Sequence, residues 1–175
     1  MSARKATAPK AFLRPRRKQI LIGGIWRDAG SRQWFETADP ATGEVLAELA
    51  EGTAADVDES VASARAALTS QAWKGLTPSQ RGRLLWKVAE LIDAHAEELA
   101  ELETLDQGKS FRTSRFAEIP SSAEQFQLFR GFLHQDPRHH HSDLYRLSAA
   151  GQADLCTIPS REPVGVVAAI TPWNS

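Results

Sequence analysis

The fold is decided by the stretch REPVGVVAAITPWNS, residues 161–175. Residues 164–170 form a nearly continuous apolar run of valine, alanine and isoleucine, which a Thr-Pro pair ends. Such runs are typical of strands that are buried on both faces, as in parallel sheets covered by helices. Trp173 and Asn174 therefore stand at the carboxyl end of a predicted buried strand, where open α/β sheets bind their ligands.

Two strand signals lie near the other end of the chain. The segment KQILIGGIWRDAG (18–30) predicts a hairpin, because two adjacent glycines supply the positive φ angles of a tight turn. Alternating residues at 45–50 predict a half-buried strand. Strands are therefore expected at both ends of the sequence.

Helices are predicted between these strands. Capping-box patterns indicate helix starts at Thr53, Thr77 and Ser121, and Gly108 indicates a helix end. Apolar residues at helical spacing predict a buried stripe on the second helix, formed by Leu84, Leu85, Val88, Leu91 and Ile92. Together with these helices, the final strand, of a kind typical of parallel sheets covered by helices, predicts an α/β fold.

Composition narrows the possible functions. The 175 residues are 42% hydrophobic and 25% charged, and the net charge of -1 gives no overall field that favours nucleic acid or a membrane surface. No apolar run is long enough to span a bilayer. The single cysteine, Cys156, cannot form an internal disulfide, so a reducing cytoplasm is the predicted compartment.

Four stretches, in this order, carry a family resemblance. They are WFETADPATGEVLAELAEGT (34–53), LTPSQRGRLLWKVAELIDAHAEELAELETLDQGK (76–109), IPSSAEQFQLFRGF (119–132) and EPVGVVAAITPWN (162–174). Together they closely resemble the NAD(P)-dependent aldehyde dehydrogenase superfamily. The resemblance implies an N-terminal fragment: hairpin and strands, a helical bundle, and the first strand of a truncated Rossmann-like nucleotide domain.

The resemblance divides the chain into four segments. Residues 1–18 form a basic tail that is expected to be disordered, with a mitochondrial transit segment as the alternative. Residues 19–133 hold the N-terminal strands and helices of the cofactor-domain half. Residues 134–160 take the place of the family's oligomerisation excursion, and 161–175 hold the first strand and PWN turn of the nucleotide-binding core.

Residues 134–160 depart from the family pattern. They show neither strand alternation nor a helical stripe, which is unusual for so long a connection. Three adjacent histidines (139–141) are metal ligands by type, but neighbouring side chains do not point the same way. A shifted reading frame is a second hypothesis, because the family pattern vanishes after Gly131 and returns at Arg161.

The resemblance also implies a reaction and the residues that serve it. The complete enzyme would oxidise an aldehyde to a carboxylic acid with NAD or NADP, through a thiohemiacetal, as a homo-oligomer. Asn174 matches the amide of the oxyanion hole. The positions that line the cofactor cleft are matched by Ile170, Thr171, Pro172, Trp173 and Asn174. From the residues alone, packing at the strand end and stabilisation of the turn remain open as alternatives.

A monovalent-cation site is implied as well. Thr37 and Ala38 match the family's backbone-carbonyl ligands, and Asp106 matches its carboxylate. Hard oxygen ligands suit such an ion. The alternative is that Asp106 belongs only to the hydrogen-bond network that caps its helix.

The family's nucleophilic cysteine and its glutamate are expected beyond residue 175. Cys156 precedes the PWN strand and does not match that nucleophile, and no G-x-G-x-x-G motif supports NAD binding independently. We therefore expect the chain alone to be inactive. The alternatives are a non-catalytic partner module for a longer dehydrogenase chain, or a truncated or frameshifted product without function.

Overall fold

A computed structural model describes residues 12–132 and 163–172 of the chain. Strands come first and helices follow, which confirms the predicted α/β class. The elements are β1 (Arg17–Lys18), β2 (Ile20–Ile22), β3 (Ile25–Arg27), β4 (Trp34–Ala38), β5 (Val45–Ala50), α1 (Ala54–Thr69), α2 (Gln71–Lys74), α3 (Pro78–Ala94), α4 (Ala96–Gln107), α5 (Phe111–Thr113), a π-helical turn (Ser114–Glu118) and α6 (Ile119–Phe132).

The predicted hairpin is present as β2 and β3. The two strands pair antiparallel, and Ile22 lies opposite Ile25 across a two-residue turn. Gly23 and Gly24 occupy that turn with φ angles of 61° and 80°, a conformation that glycine adopts without steric cost. A Cβ atom on Gly23 would lie 3.2 Å from the Ser63 hydroxyl, so the turn packs closely against α1.

The strand predicted at 45–50 is confirmed as β5, the central strand of a three-stranded sheet. It pairs in parallel with β1 and antiparallel with β4. Ala47 and Ala50 are both buried; being three positions apart, they point to opposite faces of the sheet, so the predicted burial of one face only is not what β5 shows. The Arg17 guanidinium donates to Glu48 at 2.9 Å and ties β1 to β5 at the edge of the sheet.

Both predicted capping boxes at the starts of α1 and α3 are formed. The Thr77 N–H donates to the Gln80 side chain at 2.7 Å, and the Gln80 N–H donates back to the Thr77 hydroxyl at 3.2 Å. Thr53 and Asp56 make the same exchange at the start of α1. These reciprocal bonds satisfy N–H groups that the first helical turn leaves free.

The helix start predicted at Ser121 is wrong. The chain is already helical from Phe111 and continues through the π-helical turn into α6. Ser122 lies inside α6, and its hydroxyl donates to the Glu118 carbonyl at 3.0 Å. A helix that continues from the preceding turn has no free N–H groups there to cap, so the serine bonds backwards instead.

The stripe predicted on α3 is wrong in part. Gly82 and Ala89 are buried, whereas Leu84 and Leu91 remain 49% and 51% exposed. The helix packs mainly against α6. Periodicity shows which residues are apolar, but not which of two adjoining faces a neighbour covers. The small residues therefore make the close contact, and the leucines lie on a face left open within the described structure.

The final strand is not formed in the described residues. Residues 163–172 have neither helix nor strand, and all of them are exposed, with Ile170 at 98%. A strand exists through hydrogen bonds to a neighbouring strand, and no described strand pairs with this segment. The prediction of a buried strand at 164–170 is therefore wrong for the described residues. The disordered tail predicted over 1–18 is wrong at its end, because Arg17–Lys18 form β1 and pair with β5. The rest of that prediction up to residue 11, and the predictions for 134–160, Trp173 and Asn174, lie outside the described residues.

Two kinds of feature are absent from the described residues, namely membrane-spanning helices and metal-binding clusters of side chains. No helix within them is both long and apolar enough to cross a membrane. The same residues contain no group of three histidine, cysteine, aspartate or glutamate side chains placed to hold a metal ion.

The carboxylate of Asp56 joins the segment after β3 to the start of α1. Asp56 is only 7% exposed and accepts hydrogen bonds from the Thr53 hydroxyl at 2.7 Å and the Thr53 N–H at 2.8 Å. The Gly30 N–H, from the segment after β3, donates to both oxygens at 3.0 and 3.2 Å. These bonds, led by that of the Thr53 hydroxyl, lower the pKa of Asp56 below its ordinary value of 3.8, and Arg27 adds a smaller effect.

Replacing Asp56 with asparagine removes the charge that these donors stabilise. We expect Asp56→Asn to lower the midpoint of thermal unfolding by roughly 5 °C at neutral pH, since hydrogen bonds to charged groups are the stronger ones. A lowered pKa stabilises the fold above pH 3.8 and loses that contribution as the pH falls through the folded-state value. The difference between variant and wild type should therefore shrink in acid. Circular dichroism at several pH values measures it.

Asp58→Asn is the matched control, because Asp58 is exposed on the same helix. The control should leave the unfolding midpoint close to that of the wild type. Equal effects of the two substitutions would show that the contacts of Asp56 do not stabilise the packing of the segment after β3 against α1.

Candidate functional site

The site that the structure describes lies where β4 meets the end of α4. The Thr37 hydroxyl donates to Asp106 Oδ1 at 2.8 Å, across 69 positions of sequence. Thr37 is the fourth residue of β4 and half-buried, and Asp106 lies in the last turn of α4. The structure thus places in direct contact two of the three residues that the sequence assigned to a cation site.

The third of these residues, Ala38, stands at an irregularity of the sheet. Thr37 lies opposite Ala47, but Ala38 lies opposite Val45, so the register shifts between the two neighbours. A β-bulge interrupts the ladder of hydrogen bonds and changes the direction of the backbone groups. The bulge therefore falls on the two residues whose carbonyl oxygens are the candidate ligands.

The turn after β4 is held rigidly by a buried aspartate. Asp39 is 8% exposed and accepts hydrogen bonds from the Ala41 N–H at 2.8 Å and the Thr42 hydroxyl at 3.0 Å. The Gly43 N–H closes the turn by donating to the Asp39 carbonyl at 2.7 Å. A side chain that bonds to its own turn in this way fixes the backbone that follows β4.

The turn and the helix end touch at Gly108. Its φ angle of 73° is left-handed, and its N–H donates to the Thr104 carbonyl at 2.9 Å, which ends α4 as predicted. A Cβ atom at this position would lie 2.9 Å from the ring of Pro40, closer than real contacts allow. Glycine is therefore required both by the backbone conformation and by the packing.

An ion-pair cluster, formed by Glu103, Lys109 and Glu118, lies near the same helix end. Lys109 Nζ lies 3.3 Å from Glu103 Oε1 and 2.5 Å from Glu118 Oε2. The hydrogen bond to Glu118 raises the pKa of Lys109, and burial raises the pKa of Glu103. The sequence analysis missed this cluster. Its only signal was a lysine directly after a helix-ending glycine, which does not reveal its partners.

The donor set can be tested against a monovalent cation. Two backbone carbonyls and one carboxylate offer only oxygen atoms and a single negative charge, which suits a hard ion of low charge. The bulge supports this fit, because it disturbs the strand pairing of the two carbonyl-bearing residues, Thr37 and Ala38. By type, these three oxygen donors therefore suit such an ion.

The residues predicted for the cofactor lie elsewhere in the described structure. Ile170, Thr171 and Pro172 are exposed at the end of the segment 163–172, and Trp173 and Asn174 follow outside the described ranges. The same segment forms one wall of an open groove of about 610 Å³. The groove is lined by Gly165, Val166 and Val167 on one side and by α1 and α2 on the other, through Ala64, Ala67, Leu68, Ser70, Ala72 and Trp73.

Comparison with known proteins gives consistent matches. The model of the aldehyde dehydrogenase family matches residues 26–175. Aldehyde dehydrogenase family 2 member B4, mitochondrial, of Arabidopsis thaliana is 40% identical over 156 residues, which cover 89% of this chain and 28% of that protein. Phenylacetaldehyde dehydrogenase of Pseudomonas fluorescens is 40% identical over 158 residues, which cover 89% of this chain and 31% of that protein.

Solved structures of aldehyde dehydrogenases also match this chain. The NAD+ complex of aldehyde dehydrogenase from Bacillus cereus superposes with a TM-score of 0.70 at 31% identity, covering 85% of this chain and 29% of that one. The chain thus spans about three-tenths of the length of the relatives it matches. These matches confirm the resemblance carried by the four sequence stretches.

The contact between Thr37 and Asp106 can be tested by a double-mutant cycle. We expect Thr37→Val and Asp106→Asn each to reduce the free energy of unfolding, with a coupling of about 1 kcal/mol between them, since an exposed hydrogen bond contributes about that much. Urea denaturation of the four proteins in the cycle measures it. Additivity of the two effects would show that the hydrogen bond does not join β4 to α4.

Proposed function

The chain belongs to the aldehyde dehydrogenase family, and from this premise we propose that it forms the N-terminal part of an enzyme that oxidises an aldehyde to a carboxylic acid with NAD or NADP. The single observation that carries the proposal is the family match over residues 26–175. A relative solved as an NAD+ complex supports the choice of cofactor. We also propose a cytoplasmic location, since the single cysteine of residues 1–175 gives no sign of a disulfide framework.

The reaction that we propose passes through a thiohemiacetal. A cysteine beyond residue 175 attacks the aldehyde carbon, and the carbonyl oxygen becomes an oxyanion. The Asn174 side-chain amide donates a hydrogen bond to this oxygen. A donor held rigidly in a dry site stabilises the transition state far more than water would. Once the carbon has lost its hydride, a thioester remains on the cysteine, and a glutamate, also beyond residue 175, activates the water that hydrolyses it and releases the acid.

The cofactor cleft is the second part of the proposal. When bound, NAD or NADP accepts the hydride that leaves the aldehyde carbon. Residues 170–173 line the side of the cleft that holds the nicotinamide and keep the ring in place. The exposure of Ile170, Thr171 and Pro172 is compatible with this role, because their side chains offer an apolar and hydroxyl surface for contact. Asn174, directly after them, would then face the reacting carbon.

The joint between β4 and α4 is the third part. A monovalent cation bound by the carbonyls of Thr37 and Ala38 and the carboxylate of Asp106 would brace the bulged strand against the helix end. The 2.8 Å contact between Thr37 and Asp106 supports this proposal, since it already sets the strand and the helix side by side. The cation serves the scaffold and takes no part in the chemical steps.

Uncovered apolar surface favours a second candidate function. Leu84 and Leu91 on α3, and Val167 and Ile170 near the end of the chain, are all substantially exposed. Apolar surface on this scale marks a contact with another polypeptide. The chain would then act as a non-catalytic module that pairs with a longer dehydrogenase chain. Assembly into a homo-oligomer, which we also propose for the full-length protein, would cover part of the same surface.

A polypeptide limited to residues 1–175 should produce no NADH from aldehydes and NAD. Its only cysteine, Cys156, does not match the family's nucleophile. A polypeptide that continues beyond Ser175 and carries the expected cysteine and glutamate should show turnover. The absorbance of NADH measures both. Clear turnover by the shorter polypeptide would contradict the proposal, and its co-purification with a longer dehydrogenase chain would favour the partner module.

The role of Asn174 can be measured in the longer, active polypeptide. We expect Asn174→Ala to reduce kcat by about 10²–10³-fold with little change in KM, because the lost donor acts on the transition state. Ser175→Ala, at the neighbouring position, is the matched control and should keep wild-type kinetics. An unchanged kcat for Asn174→Ala would assign the residue to stabilisation of the turn.

A further inference from the structure

Lys109 connects two parts of the helical bundle that the sequence keeps apart. Its Nζ lies 3.3 Å from Glu103 Oε1 on α4 and 2.5 Å from Glu118 Oε2 at the end of the π-helical turn. The three side chains are between 18% and 24% exposed, so water screens the cluster only in part. The lysine ammonium group, shared by two half-buried carboxylates, offsets the repulsion between them.

The cluster lies at the end of α4 that also carries Asp106. Glu103 precedes Asp106 by three positions, so the two side chains are neighbours on one face near the end of the helix. Gly108 then reverses the chain in its left-handed conformation, and Lys109 follows directly. The last turn is thus held through Glu103 by the ion pairs and through Asp106 by Thr37.

We infer that Lys109 is a positioning residue: its positive charge offsets the repulsion between Glu103 and Glu118, so that the end of α4 stays where Asp106 meets the bulged end of β4. The inference rests on the cation site proposed above, to which Lys109 contributes no ligand atom. Without the lysine, Glu103 and Glu118 would lose the positive charge that they share, and the repulsion between them would rise. Helix ends fray readily, and repulsion at this end would move Asp106 away from the carbonyls of Thr37 and Ala38.

Cation binding to the whole chain provides the first test. The 15N-labelled chain is titrated with potassium chloride and sodium chloride, with choline chloride keeping the ionic strength constant, while the amide signals of Thr37 and Asp106 are followed. The wild type should show saturable shifts with at least one of the two ions. Lys109→Met should bind that ion about 10-fold more weakly, because removing a group that orients a metal ligand typically lowers metal affinity by about 10- to 100-fold.

Two matched variants separate positioning from loss of charge. Lys74→Met removes one positive charge from α2, away from the cluster, and should bind like the wild type. The triple variant Lys109→Met, Glu103→Gln, Glu118→Gln has no unneutralised carboxylate in the cluster and should regain most of the lost affinity. The triple variant also tests the inference if Lys109→Met alone does not fold. A folded triple variant that still fails to bind would overturn the inference.

A second measurement does not depend on the cation. Hydrogen exchange of the Gly108 amide, which bonds to the Thr104 carbonyl, reports directly on the last turn of α4. We expect this amide to exchange about 10-fold faster in Lys109→Met than in the wild type, because a loosened helix end frays more often. Lys74→Met should leave the exchange rate unchanged. If the wild type binds neither ion, the proposed cation site fails while this measurement still tests the lysine. Unchanged exchange together with unchanged cation affinity would sink the inference.

Discussion

The structure depends on how closely the end of α4 approaches the turn after β4. Gly108 adopts a left-handed conformation that ends the helix, and the ring of Pro40 occupies the space that a side chain would need. Because no Cβ atom fits there, the sheet and the helical bundle come near enough for Thr37 to reach Asp106. One backbone conformation thus sets both the course of the chain and the geometry of the candidate cation site.

Electrostatics reinforces this joint from two sides. The exposed hydrogen bond of Thr37 holds Asp106, while the half-buried ion pairs of Lys109 hold the same helical turn from the bundle. A buried ion pair adds little net stability when compared with apolar packing, but it specifies geometry well, since either partner alone would be costly to bury. The cluster is therefore better understood as fixing positions than as a source of folding energy.

The apolar surface has a different meaning in an aldehyde dehydrogenase fragment than it would have in an independent domain. The chain spans about three-tenths of the relatives it matches, and its exposed leucines and valines lie on α3 and in the segment 163–172. Such surface is costly to leave in water. In the proposed enzyme it would be covered by the remaining polypeptide, which would also supply the strands that let residues 164–170 pair.

The sequence by itself determined the features that arise from bonds between near neighbours. The hairpin at Gly23–Gly24, the caps at Thr53 and Thr77, and the helix end at Gly108 each depend on a few consecutive residues, and each was predictable. The family, too, followed from linear motifs. The sequence also assigned Thr37 and Asp106 to one site, but only through that resemblance. Tertiary structure alone decided the bulge beside Thr37, the partners of Lys109, the covered face of α3 and the unpaired state of residues 164–170. These features depend on which distant surface lies opposite, and a local pattern of polar and apolar residues does not contain that information.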